Sequence, residues 1–312
     1  MPNKSIFTAP RYLTDGGLET TLIYHRGWEL PHFAAFQLLR TAAGETALRE
    51  YYRDYAELAK KYQTGLLLES ATWRASADWG MRLGYSQDEL DAANRQSIAM
   101  FADLRAEFAT ETLPVVVTGC IGPRGDGYQP GELMTIEQAT AYHTRQCAVL
   151  ADTAADLLAA YTINYVAEAI GITRAASAAG KPVAISFTVE TDGRLPTGQK
   201  LGEAITQVDD VTDGYPAYYL INCAHPEHFE QQVLTGEPWV TRLRGLRVNS
   251  SLKSHAELNE ATALDDGDPP ALGAQCGKLA RLLPNITILG GCCGTDARHV
   301  EQMAIAWVEN SP

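Results

Sequence analysis

The sequence predicts an α/β protein, a (β/α)8 TIM barrel formed by residues 1–312 as a single domain. Three observations lead there. Short aliphatic or β-branched runs recur eight times along the 312 residues, separated by stretches of helical period, which is the alternation of a parallel sheet wrapped by helices. No G-x-G-x-x-G follows the first run, which argues against an open doubly wound sheet, the main alternative. The residues with reactive or charged side chains also fall just past the ends of these runs, where such a barrel carries its active site.

The strand runs begin at Tyr12, Gly65, Pro114, Asp156, Pro182, Ala217, Gly245 and Ile286. Between them, apolar residues at helical spacing mark amphipathic helices, as at Leu48, Tyr51, Tyr55, Leu58 and Tyr62, and again at Ile98, Phe101, Leu104 and Phe108. Ser86 with Glu89, and Thr135 with Gln138, have the spacing of capping boxes that open helices. Residues 122–131, dense in glycine, and 265–270 read as loops, both too short to separate domains. His299 falls on a final helix capped by Thr295 and Asp296, and Glu168 reads as a solvated helix residue. His225 and His228 are three apart, but the intervening Pro226 makes a loop or helix start a better reading than a ligand pair.

Composition narrows the functional classes. The net charge is −13 and the basic residues are scattered, which argues against nucleic acid or an anionic membrane as partner. The first residues lack the apolar core of a signal peptide and no window approaches a membrane span, so a cytoplasmic location is expected. Six cysteines in a chain of this length do not make a disulfide framework. Cys120, Cys147 and Cys276 have no loop context and read as packing residues.

The other three cysteines differ. Cys292 and Cys293 lie in Ile288-Leu289-Gly290-Gly291-Cys292-Cys293-Gly294-Thr295, and Cys223 in Leu220-Ile221-Asn222-Cys223-Ala224-His225-Pro226, so each sits where a strand run meets a loop. Zinc knuckles draw cysteine pairs from one hairpin, whereas these come from separate strand ends, which suggests a pocket. Neighbouring residues of a strand point to opposite faces, so both Cys292 and Cys293 can reach one ion only if the chain turns sharply there. Three thiolates leave one corner of a zinc tetrahedron open, as in a catalytic zinc site.

These residues resemble the homocysteine S-methyltransferase family, from Asp15-Gly16-Gly17-Leu18-Glu19-Thr20 to the double-cysteine segment. The resemblance implies that Cys223, Cys292 and Cys293 hold Zn2+ and that Asp15 contacts the amino group of homocysteine. The segment Val117-Thr118-Gly119-Cys120-Ile121-Gly122-Pro123 looks like the family's third strand and loop, residues 182–188 look like its fifth, and Asn249-Ser250 matches a polar position of the seventh unit. One departure stands out. Where the family carries a glutamate after the fourth strand, in a pattern similar to Asp-Leu-Leu-Ala-Phe-Glu-Thr, this chain has Tyr161. A phenol is neutral at pH 7 and does not replace a charge-assisted bond to an ammonium group.

The expected activity is therefore transfer of a methyl group from an onium donor to a zinc-bound small thiol, homocysteine by default, giving methionine. A different thiol acceptor is the alternative that Tyr161 raises. Zinc-assisted hydrolysis is disfavoured because three thiolates make a bound water less acidic, and a non-catalytic zinc or thiol redox sensor is a further alternative class. An onium donor favours aromatic faces and acidic neighbours, for which Trp73, Tyr161 and Phe187 are cage candidates and Glu69 and Glu190 polar contacts, with Asn249 added on the resemblance.

Overall fold

The computed structural model describes residues 6–308. Eight parallel strands close into a barrel in chain order: β1 (Tyr12–Leu13), β2 (Gly65–Glu69), β3 (Val115–Ile121), β4 (Leu157–Ile163), β5 (Val183–Phe187), β6 (Tyr218–Asn222), β7 (Leu243–Val248) and β8 (Ile288–Gly291). Closure is made by β1 on β8, with Tyr12 opposite Ile288 and Leu13 opposite Leu289. Each predicted run yields a strand, displaced by no more than about two residues at its start, as expected of boundaries read from sequence.

Alternation along the strands divides the core in two. Tyr12, Leu67, Val116, Leu157, Ala159, Tyr218, Leu220 and Ile288 fill the barrel interior, while Leu66, Leu68, Val117, Leu158, Ala160, Tyr219 and Ile221 face the helices. Continuing the inward parity toward the C-terminal mouth leads from Leu67 to Glu69, from Ala159 to Tyr161 and from Gly245 to Arg247. The sheet therefore delivers these polar side chains to one end of the barrel.

The helices behave as their sequences dictate. Ala42–Lys61 buries Leu48, Tyr51, Tyr52 and Tyr55. Gln87–Phe108 opens on the Ser86–Glu89 capping box, and Ile136–Ala151 on the Thr135–Gln138 one. Two readings need correction. Residues 265–270 are not all loop, because Asp268 caps a helix that begins at Pro269, a residue pre-set for the first helical turn. Glu168 is buried, not solvated: its Oε1 accepts from the Arg124 backbone N–H (2.8 Å) and meets His143 Nε2 at 3.0 Å. No described helix is long and apolar enough to cross a membrane.

Candidate active site

Cys223 directly follows β6, and Cys292 and Cys293 follow β8, so all three emerge at the C-terminal mouth. Cys223 takes a left-handed backbone (φ 54°), uncommon for a residue with a Cβ, and this turns its side chain out of the strand. The expected sharp bend after β8 is present. Gly294 has φ 79°, and a Cβ on Gly291 would collide with the Thr295 hydroxyl. Together these place the three sulfurs within 4.8 Å of one another. Cys223 and Cys292 are joined as a disulfide with a Cα–Cα distance of 5.4 Å, and Cys293 is a free thiol beside them.

A polar shell holds the cluster. Asn222 Oδ1 accepts from the Thr162 backbone N–H (2.9 Å) and the Ser186 hydroxyl (2.6 Å), while its Nδ2 donates to Thr162 Oγ1 (2.9 Å) and lies 3.9 Å from Cys292 Sγ. The Tyr128 hydroxyl is 3.5 Å from Cys293 Sγ. His255 stacks on the Tyr128 ring at 3.9 Å and spans between Glu190 Oε1 (2.9 Å) and the Cys223 carbonyl (2.6 Å). Burial pushes the Cys293 thiol up, and the Tyr128 contact opposes that shift.

The sulfurs open on a cavity whose floor is charged. Arg247, 8 % exposed, donates from Nη2 to Asp15 Oδ1 (2.5 Å) and the Gly16 carbonyl (3.1 Å), from Nε to the Gly291 carbonyl (3.1 Å), and from Nη1 to Glu69 Oε2. Tyr161 donates its phenol proton to the other oxygen of Glu69, and Tyr51 donates to Asp15 Oδ2 (3.1 Å). The position that lacks the expected carboxylate is therefore joined to one supplied by β2. Burial raises Glu69 to about 7 against the opposing pull of Arg247, and raises Asp15 for the same reason. Burial also disfavours charge on Arg247, but Asp15 and Glu69 outweigh it and hold the guanidinium well above its ordinary value.

The structure brings Cys223, Cys292, Cys293, Asp15, Glu69, Trp73 and Tyr161 to one cavity. Phe187 does not join them. It is fully buried and lies parallel to Tyr219 between barrel and helices, because its parity on β5 points outward. Glu190 and Asn249 border a separate small recess behind Cys223. The cage of Trp73, Tyr161 and Phe187 does not assemble: Arg74 sits 3.8 Å over the Trp73 ring and Arg247 5.1 Å from the Tyr161 ring, so the chain's own cations use those faces. His225 is a helix N-cap accepting from the Glu227 N–H (3.3 Å). Cys147 and Cys276 are core residues, whereas Cys120 is buried yet also borders the cavity.

Sequence reasoning missed Arg247, Arg74, Tyr128, Asn222 and His255. For Arg247 a signal existed, since it is a charge flanked by Leu246 and Val248 in β7 at an inward position, although Arg244 shares the strand. Asn222 ends β6 beside Cys223, where a buried amide needs partners. Tyr128 comes from a loop and His255 opens the short helix His255–Asn259 on a Ser254–Glu257 capping box, but nothing in the local sequence of either ties it to the cysteines.

Comparison with known proteins agrees with this architecture. The sequence profile described as homocysteine S-methyltransferase matches residues 12–307. A curated relative, homocysteine S-methyltransferase 4 of Zea mays, is 27 % identical over 94 % of this chain and 88 % of its own length. Selenocysteine Se-methyltransferase of Brassica oleracea var. italica is 25 % identical over 91 % and 85 %. In fold, the chain is similar to the homocysteine methyltransferase MmuM of Escherichia coli. Its oxidized form superposes with a TM-score of 0.74 at 20 % identity over 95 % of this chain and 96 % of that one. The metallated form gives 0.72 at 20 % identity over 99 % and 97 %. With its barrel, its cysteine cluster at the mouth and a profile match over almost its whole length, the chain belongs to the homocysteine S-methyltransferase family and is a thiol methyltransferase.

Proposed function

We propose that the chain is a zinc-dependent S-methyltransferase that moves a methyl group from an onium donor to a small thiol, homocysteine by default, giving methionine. The observation that carries this reading is the convergence of three cysteine sulfurs within 4.8 Å of one another on a buried, charged cavity. The donor set fits zinc: three cysteine sulfurs gathered at one mouth are ligands this ion takes at about 2.3 Å, and they leave one corner of its tetrahedron open. Cys223, Cys292 and Cys293 would hold the ion once the disulfide is reduced, a state that the cytoplasm maintains. Bound there, zinc would strip the proton from an incoming thiol and keep it as a nucleophilic thiolate near neutral pH.

The remaining work belongs to the protein. Methyl transfer forms one S–C bond and breaks the donor's C–S or C–N bond, and charge is neutralised as an anionic sulfur meets a cationic donor. A dry cavity strengthens that attraction, and holding the two reactants in line supplies much of the remaining acceleration. Asn222 and Tyr128 fix the sulfur side. Tyr24 and Phe33, both bordering the cavity and 46 % exposed, offer aromatic faces for the onium group at the entrance, in place of Phe187. Glu19 borders the same cavity, raised by burial to about 7.

A different thiol acceptor is favoured by one observation: Asp15 and Glu69, the carboxylates suited to an ammonium group, are both already engaged by Arg247. The test is to incubate reduced, zinc-loaded protein with homocysteine, with other small thiols and with a panel of sulfonium and quaternary ammonium compounds, detecting methyl thioether by mass spectrometry. Product from homocysteine supports the default, and product from another thiol alone replaces it. Cys292→Ser should remove both bound zinc and turnover. Retention of either overturns the ligand assignment.

A further inference from the structure

We infer that Arg74 is the carboxylate receptor of this cavity, the residue that takes the carboxylate of a bound substrate. The two guanidinium groups at the cavity are equally hidden but differently employed. Arg247 is spent on two carboxylates and two carbonyls. Arg74 is 5 % exposed and makes one hydrogen bond, from Nη1 to the Gly125 carbonyl (2.9 Å). Among the described residues no carboxylate lies within 4.0 Å of it, and its buried Nε has no partner. A buried cation without a counter-ion is costly, and such groups are found paired or awaiting a ligand.

The surroundings orient Arg74 for that role. The indoles of Trp73 and Trp79 each lie 3.8 Å from the guanidinium carbon, so ring contacts cover the cation and hold it in place. What remains is its edge of N–H donors, the geometry that meets a carboxylate with two parallel bonds. Burial lowers Arg74 to about 10, with Asp126 and Glu19 opposing from a distance, so it stays cationic at neutral pH. Arg74 borders the same cavity as the three sulfurs, so a carboxylate held there belongs to a molecule that also reaches the cysteine cluster or the onium entrance. The ligand class is therefore a carboxylate-bearing thiol or a carboxylate-bearing onium compound. This rests on the methyl-transfer reading only for the identity of those two substrates.

The experiment measures binding rather than turnover. Reduced, zinc-loaded protein is titrated with two matched pairs, 3-mercaptopropionate against 3-mercaptopropionamide and betaine against choline, by calorimetry and by intrinsic tryptophan fluorescence, to which Trp73 and Trp79 contribute. One bidentate charge-assisted contact should favour the carboxylate member about 10- to 100-fold. Preference in the thiol pair assigns the carboxylate to the acceptor, and preference in the onium pair assigns it to the donor. Arg74→Gln should abolish the preference, and Arg74→Lys, which keeps the charge without the fork, should retain only part of it. Lack of preference in the wild type, or a full preference surviving in either variant, overturns the inference, and if the glutamine variant does not fold the lysine variant decides. A protein that discriminates the pairs but makes no methyl thioether sinks the proposed function and leaves Arg74 standing; turnover without discrimination does the reverse.

Discussion

Replacing Arg247 by Met keeps an unbranched apolar stem and removes the charged guanidinium, which tests what that group does on the barrel floor. The change deletes bonds to Asp15, Glu69 and the carbonyls of Gly16 and Gly291, and leaves Asp15 and Glu69, 4 % and 3 % exposed, without their cation. Removing one partner of a buried pair costs about 3–5 kcal/mol. With an unfolding entropy of about 2.1 cal/mol/K per residue, a chain of this size loses roughly 5–8 °C in Tm. The cost should depend on pH in a defined direction. Glu69 is raised by burial to about 7 in the fold even with Arg247 opposing. A carboxyl whose native value is raised contributes stability that is complete below its unfolded value, about 4.3, and lost as pH rises through the native one. Without Arg247 both carboxyls move further up, and each additional unit costs about 1.4 kcal/mol at pH values above it. Urea unfolding of Arg247→Met and wild type at pH 5 and pH 8 should therefore show a loss of about 1–2 kcal/mol at the acid value, where mainly hydrogen bonds are missing, and about 3–5 kcal/mol at the alkaline one. Equal losses at the two pH values, or less than about 1 kcal/mol at pH 8, would refute the argument that Arg247 serves chiefly to neutralise these carboxylates.

Other perturbations test separate parts of the structure. Tyr161→Phe removes the proton donated to Glu69, and a double-mutant cycle with Glu69→Gln at pH 8 should return a coupling of about 1.5–3 kcal/mol; additivity within about 0.5 kcal/mol would show that the contact carries no energy. Phe187→Ala should cost about 3–5 kcal/mol of stability while leaving the KM for the onium donor within about twofold, and a selective loss of donor binding would restore this ring to the site. Ser86→Ala should lower stability by about 1 kcal/mol in calorimetry and leave methyl transfer unchanged, because neither Ser86 nor Glu89 lines the cavity. Unreduced protein, with four free cysteines, should take up no zinc by elemental analysis, and reduction should admit one equivalent. One equivalent bound with the Cys223–Cys292 bridge intact would contradict the ligand assignment.

What the sequence disclosed follows from the range of the interactions involved. Strand runs, helix periods and capping boxes depend on residues within a turn or a pleat of one another, and these were legible. The Cys292-Cys293 segment was legible because adjacent thiols among glycines need a special backbone. The floor was not. Asp15 and Arg247 are 232 positions apart, and Glu69 and Arg247 178, so only barrel closure, which sets the inward parity of each strand, makes them neighbours. Phe187 was misplaced for a related reason: it ends a strand, as site residues do, but alternation along β5 turns it toward the helices. Tyr128 supports the cluster from a loop and His255 from the first turn of a short helix, and no periodicity encodes that they meet there.

Tyr161 shows how the two kinds of information combine. Read alone, it removes a carboxylate from the site and argues against an amino-acid acceptor. In the fold, its phenol holds a carboxylate that enters from β2 instead, so the negative charge is moved rather than lost. Arg247 then cancels much of that charge. Asp15, Glu69 and Arg247 together carry a net charge of about −1 when both acids are ionised, and raised carboxyl values reduce even that near neutral pH. Such a floor grips an ammonium group less strongly than two free carboxylates would. Selectivity among thiols must then come from elsewhere on the wall, and Arg74, with one hydrogen bond made and its Nε unpartnered, is a charged group there with capacity left.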